Sequence, residues 1–224
     1  LSELGEEFVA KYGQRLVPAE NKLLALHYAT NPDATVIIIQ KDTVIEEPII
    51  INSKATAIAA ESIIVVVEEG AEATIIEKAT STAHYKSQIL QIYAQANSKI
   101  TYCTLHDEKE GAHSFSTKRT EVLQDATVTW IDFALGKGFT QVQLRSHLRE
   151  AGAAAQQYQA MVGTEAQQCD INSDAFHEQS NTASVMLAKG ILTDKSRAMY
   201  RGTVRVEKNA RSCSGHQRSD MLLV

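Results

Sequence analysis

Runs of β-branched residues recur along this chain from Thr35 onward, and that recurrence most narrows what it can fold into. They stand at Val36 to Ile39, Ile49 to Asn52 and Ser62 to Val67, and again from Gln88, Lys99, Ala126 and Thr140. Small residues, Ala55, Ala73, Ala96, Ala126 and Ala153, recur beside them at very roughly 20 to 30 residues, the spacing of a sheet coil rather than a helical solenoid. Three prolines and eleven glycines are too little turn chemistry for a sandwich of so many tight hairpins. A right-handed parallel β-helix, with gentle corners lined by small residues and an interior ladder of Val and Ile, accommodates the pattern better. Pattern alone leaves β-helix and β-sandwich both open.

Alternation assigns faces. After a Lys-Gly-Ile-Leu turn at 189–192, Ala198, Tyr200, Gly202, Val204 and Val206 share one face, and Met199, Arg201, Thr203, Arg205 and Glu207 the other. This is the period of a strand buried on one side. In the same way Val142, Leu144 and Leu148 oppose Gln141, Gln143, Arg145, His147 and Arg149, which are expected at solvent or an interface. The final DMLLV reads as a strand with an apolar edge, a liability that chains cover. Helical signals are confined to the start: Leu4, Phe8 and Tyr12 fall four apart, and Pro18 to Ala29 holds a short helix with Leu23, Leu24 and Leu26. The expected organisation is an N-terminal helical or linker segment over 1–31 and an all-β core over 32–224.

A chain of 224 residues buries roughly 70 to 75% of its unfolded surface, so a single core suffices without disulfides. No apolar run approaches the roughly 20 residues that span a bilayer, so no membrane partner is expected. Cys103, Cys169 and Cys213 lie far apart with no CxxC pair, which argues against a disulfide framework or zinc ribbon and for a reducing, cytoplasmic setting. The start carries Glu3, Glu6 and Glu7 rather than a basic stretch, so no secretory signal is expected, and Leu1 in place of Met suggests a start inside a longer gene product. Residues 1–110 carry nine basic against sixteen acidic side chains, 111–188 five against eight, and 189–224 eight against three. A basic tail without aromatic interleaving or a binding motif reads as a solvated or protein-facing surface, not a nucleic-acid site.

Candidate ligands are few. Cys213 and His216 form a Cys-x-x-His pair, but positions three apart on a strand point to opposite faces. Cys103 shares parity with Thr101 and Leu105 and is expected inward and inert, while His106 and His113 fall in HDEKEGAHS, a loop. Cys169 reads as a small core residue. No metal-ligating set and no catalytic residue is expected, and GxxxxGK[ST], GxSxG and HExxH are all missing.

Two blocks go further. Glu46 to Ser81 reads EEPIII and, after a short gap, VVVEEGAEATIIEKATS. Later come His177, Ser184, the run Lys189, Gly190, Ile191 and Leu192, then Asp194, Ser196, Tyr200, Arg201, Gly202, Val206, Ala210, Gln217, Leu222 and Leu223. In this order they resemble the SufB/SufD family of iron-sulfur cluster assembly proteins, over most of the chain from about Leu23.

The resemblance implies the β-helix and a non-enzymatic scaffold of a SufBCD-type complex. Such a subunit pairs with a SufB- or SufD-like partner and works with a SufC-like ATPase, and an iron-sulfur cluster forms transiently in the full complex, not on this chain alone. His177 resembles the motif histidine, supporting an interface or cluster route, or bonding a neighbouring coil, which is the expected role. For Lys189 and Arg201 the expected roles are capping strand-end carbonyls and exposed ladder charges. Where SufB-type members show Lys-Arg-Ala-Leu-Cys before a Trp, this chain has Lys118, Arg119, Thr120, Glu121 and Val122 before Trp130. The acceptor thiol is missing, which tilts the resemblance toward SufD. The family's Cys-x-His-Gly segment and ATPase-gripping helices fall past Val224, so the chain is expected to be incomplete there. Two alternatives stand beside this reading. One is a β-helical polysaccharide-active enzyme, disfavoured by 6% aromatics and a single Trp130; the other is an interaction module without cluster function.

Overall fold

Strands of equal length joined by equal corners bring a chain back over itself, and here this happens seven times. The computed structural model describes Tyr12, residues 20–31 and residues 33–224. The helix α1 (Lys22–Thr30) precedes β1 (Thr35–Ile39), β2 (Ile49–Ala55), β3 (Ala59–Val67), β4 (Glu72–Ser81), β5 (Lys86–Ala94), β6 (Lys99–Glu108) and β7 (His113–Val122). Then follow β8 (Thr127–Ala134), β9 (Phe139–Leu148), β10 (Ala154–Gly163), β11 (Gln168–His177), β12 (Ala183–Leu192), β13 (Arg197–Val206) and β14 (Ser214–Leu223). Odd strands form one seven-stranded parallel sheet and even strands a second, each in sequence order. Ile49 lies beside Ile75 and Ala183 beside Ser214, so one coil takes 26 to 31 residues. The architecture is the parallel β-solenoid, and the sandwich is excluded.

The corners explain how so few glycines and prolines suffice. After each odd strand one residue takes positive φ: Asp42, Gly70, Asn97, Asp125, Gly152, Asn181 and Ser212. Asn and Asp tolerate that region better than other side chains, so glycine is needed only where space also fails. Gly152 is such a place, because the Asp125 carboxylate of the adjacent coil occupies the volume a Cβ would take. Corner amides bond to the next coil, as from Asp42 to the Glu69 carbonyl at 2.9 Å and from Asn97 to that of Gln124 at 2.8 Å. The residue that follows turns inward and is small: Ala71, Ser98, Ala126, Ala153 and Thr182 are all buried. Ala126 and Ala153 therefore sit where expected, while Ala55 and Ala73 face inward from β2 and β4.

Inward side chains stack in columns. Ile39, Val67, Ala94, Val122 and Leu148 follow one another in register, as do Val65 and Ile92 beside them. Each large aliphatic buried this way contributes about 1.5–3 kcal/mol. The expectation of an aliphatic filling holds only in part. Ile75, Ile100, Val128 and Met161 also face in from the even strands, but polar groups are interspersed on both sheets and include Glu77, Lys86, Lys118, Asp132 and His177.

Several boundaries differ from the sequence reading for the same reason. Lys189 to Leu192 are not a turn but the end of β12, because Ala188, Gly190 and Leu192 keep the inward phase; the reversal comes at Asp194, with φ 58°. His106 to Glu108 continue β6 and His113 opens β7, so the loop between them is only 109–112. Phe176 and His177 likewise belong to β11 rather than to a polar turn.

α1 forms where Asn21 caps it, accepting from the Leu24 amide at 2.9 Å. The part of the expected helix before Glu20, and Leu4 and Phe8, lie outside the described residues. The helix covers the outer side of β3 and β5, with Leu24 on Ile89, and every residue of β5 is buried as a result. His27 pins it, its Nδ1 2.9 Å from Ser87 Oγ and its Nε2 2.8 Å from Ser62 Oγ. Burial pushes the His27 pKa down to about 4. A ring neutral in the fold but ordinary when unfolded stabilises docking fully above pH ~6.5, and that stability drains away as pH falls toward 4. Amide-exchange protection of 22–30, corrected for intrinsic rates, is therefore expected to drop between about pH 7.5 and about pH 5 while β9 stays protected. His27→Gln should remove that dependence, and equal protection of the helix at both pH values would exclude this role for the ring.

Candidate functional site

The buried polar groups of the lumen are where chemistry concentrates. Alternation on β4, β6 and β8 places Glu77, Thr104 and Asp132 in one inward column, and β5 and β7 present Gln88, Ser116 and Lys118 across from it. Lys118 Nζ spans the gap, donating to Asp132 Oδ1 and, at 2.7 Å, to Thr104 Oγ1. It also lies 5.2 Å from the Trp130 ring centroid and 5.9 Å from that of Tyr102, where the π faces favour a cation. Lys118 has no exposed surface and Asp132 only 2%.

One position further along each strand pair is His106, with Nε2 3.5 Å from Asp132 Oδ1 and Nδ1 3.9 Å from Glu108 Oε1. Burial raises the Asp132 carboxyl, but Lys118 and then His106 outweigh it and hold the group below the ordinary carboxylate range. Glu108 goes the other way, since burial pushes it up more strongly than His106 and Lys86 pull it down. Two carboxylates in one dry space are thus driven apart by whether a cation touches them.

A second network closes the early coils. Glu77 accepts from Tyr102 Oη at 3.0 Å and from Gln88 Nε2 at 2.5 Å, and Gln88 in turn accepts from Ser116 at 3.2 Å. Burial and the Glu77 charge lift the Tyr102 phenol well above its usual range, so it stays a donor. Lys86 donates to Ser53 at 2.7 Å, and Ser53 donates to Glu61 at 2.7 Å. Trp130 Nε1 donates to Thr120 at 2.9 Å. In the later coils His177 Nδ1 meets Thr182 Oγ1 and its Nε2 meets Ser184 Oγ, both at 2.8 Å.

The residues singled out from sequence distribute unevenly over this frame. His177 is sealed in the lumen and bonds the strand that follows it, as expected of a structural histidine. Cys103 is not inward: β6 buries Ile100, Tyr102, Thr104, His106 and Glu108, so its thiol lies half-buried on the outer face. The apolar look of Cys103 and Leu105 hid a strand whose polar residues face in. Cys169 is inward and buried, its thiol pushed up to about 11 by burial, and so inert at neutral pH. Cys213 occupies the corner column of small residues, accepting from Thr182 Oγ1 at 3.3 Å, and His216 is exposed on β14. His113 is exposed beside Phe139, away from His106. Val122 faces the lumen fully buried. Arg201 pairs with Asp170 at 2.6 Å as a ladder charge, whereas Lys189 caps no carbonyl. Among the described residues no three His, Cys, Asp or Glu side chains converge as a metal-binding group.

Sequence reading missed Lys118, Asp132, His106 and Glu108 as a group. The usable signal was parity: Val128, Trp130, Asp132 and Ala134 are in phase, and an Asp in phase with a buried Trp points inward. Removing one partner of a buried pair strands the other charge, so Lys118→Met is expected to cost about 3–5 kcal/mol, and Lys118→Met with Asp132→Leu to regain most of it. Urea unfolding followed by Trp130 fluorescence measures both, and losses that simply add would show the pair to be uncoupled.

Residues 49–224, which begin at the first residue of β2, match the family model described as SUF system FeS cluster assembly, SufBD core domain. An "Iron-sulfur cluster assembly SufBD family protein" of Staphylococcus saprophyticus is 25% identical over 228 residues, covering 98% of this chain and 49% of the relative. Proteins of the same description from Staphylococcus epidermidis and Staphylococcus aureus match with the same identity and coverage. The chain spans about half the length of these curated relatives. On the strength of the match from β2 through β14, the chain belongs to the SufBD family of iron-sulfur cluster assembly proteins.

Proposed function

We propose that this chain is a non-enzymatic, SufD-like scaffold of a SufBCD-type assembly in the cytoplasm. It pairs with a second SufB- or SufD-like subunit and acts beside a SufC-like ATPase, and the iron-sulfur cluster is the cargo of the complex rather than a resident group of this chain. The carrying observation is that the matched segment is the solenoid itself, from β2 through β14. Such a stack is stiff, because each coil is hydrogen-bonded to the next along strands of five to ten residues. Its convergent ionisable groups, Lys118, Asp132, His106 and Glu108, are at most 2% exposed, where a dissolved substrate does not meet them. Among the described residues no helix is long and apolar enough to cross a membrane.

The reading is tested by co-expressing the full gene product with SufB and SufC homologues and purifying through one tagged partner. A complex surviving gel filtration at micromolar concentration is expected, and its absence overturns the assignment. In the same series, this chain alone, treated anaerobically with iron and sulfide, should carry no visible absorbance through the column. Retained colour would make it a cluster carrier instead.

A further inference from the structure

The two sheets differ on their outer sides. On the odd sheet the apolar patch of Ile64, Val66, Ile89 and Tyr93 is covered by α1 and Tyr12, and beyond it the charges are paired: Arg119 with Glu20, Arg145 with Asp174, Arg149 with Glu121. On the even sheet the outward columns remain apolar. Ile131, Tyr158 and Leu187 follow one another in register, with Phe133 and Ala160 in the next column and Ile191 beyond, and no described element covers them. Phe133 is 37% and Ile191 46% exposed. Contiguous apolar surface of this kind on a folded protein marks a contact site.

Lys189 stands in the middle of it. It follows Phe133 and Ala160 in their column, and two depressions, of about 400 and 310 Å³, adjoin it on either side. It makes no hydrogen bond or ion pair with the described residues, although Asp220 is its neighbour on β14. Lys189 is exposed, and a carboxylate that a docked apolar surface brings against it meets it with less screening than in open water.

We propose that this face, from β8 to β12, docks an amphipathic helix of a partner protein, whose apolar stripe rests on Ile131, Phe133, Tyr158, Ala160, Leu187 and Ile191 and whose carboxylate pairs with Lys189. The chain already solves the same problem once: α1 lies over the outer side of β3 and β5 with Leu24 down. The dimensions agree, since two strand spacings of roughly 4.8 Å give about the 10 Å width of a helix. The contact is distinct from the subunit pairing proposed above and does not rest on it. Arg119 and Arg145 on the odd sheet, by contrast, already hold the Glu20 carboxylate.

The test uses the intact chain and two fluorescein-labelled helical peptides of about 18 residues with leucine at i, i+3, i+4 and i+7, differing only in a Glu or a Lys beside the stripe. By fluorescence anisotropy at low salt the Glu peptide is expected to bind roughly fivefold more tightly than the Lys peptide. Lys189→Glu should reverse that order, and Phe133→Glu should abolish binding of both with the melting temperature unchanged. If Phe133→Glu lowers the melting temperature, Ile191→Gln takes its place with the same expectation. Equal affinity for the two peptides, or an order that Lys189→Glu leaves as it was, overturns the proposal. So does a dimeric mass in gel filtration that Phe133→Glu or Ile191→Gln converts to a monomer, because the occupant is then a second copy.

Discussion

Everything in this molecule depends on the backbone hydrogen bonds that hold one coil in register with the next. Parallel pairing is unbroken in both sheets, so each coil must have nearly the cross-section of its neighbours. That requirement fixes the corners, where one positive-φ residue and one small inward residue recur, and it turns the interior into columns. A side chain in such a lumen has two kinds of neighbour: the residue above or below in its column, and the facing sheet. Lys118 shows both, lying between Leu90 and Leu144 in its own column while its ammonium reaches Asp132 opposite.

A lumen in which aliphatic and polar side chains are interspersed on both sheets has asymmetric energetics. The apolar columns stabilise in proportion to area and tolerate conservative change. The polar groups contribute little net stability when all are bonded, and much instability when one is lost. Glu77, Gln88, Tyr102 and Ser116 are therefore better regarded as specifying which strand faces which than as adding cohesion.

Much of the architecture was legible because β-branched runs mark β1, β3, β5 and β6 directly, and because Val142, Leu144 and Leu148 are in phase on β9. Among the strands that sequence reading did not mark, two have largely polar interiors: β7 buries Ser114, Ser116 and Lys118, and β10 buries Gln157 and Gln159. Without apolar alternation they resemble loops. The candidate site was harder still. The inference that an apolar residue faces in assigned Cys103 to the wrong side of β6, and the reading of HDEKEGAHS as a loop left His106 and Glu108 off that strand. The family was readable from the later blocks because they combine turn residues, inward small residues and ladder charges, as at Gly190, Asp194 and Arg201.

The Lys118 and Asp132 positions lie fourteen residues apart in sequence and on opposite sheets, yet each is tolerable only in the presence of the other. Genetic drift proceeds one codon at a time, and either single change crosses a state of low fitness. The two sites are thus locked as a unit, and a lineage that exchanges them for an uncharged couple must first acquire surplus stability elsewhere in the stack.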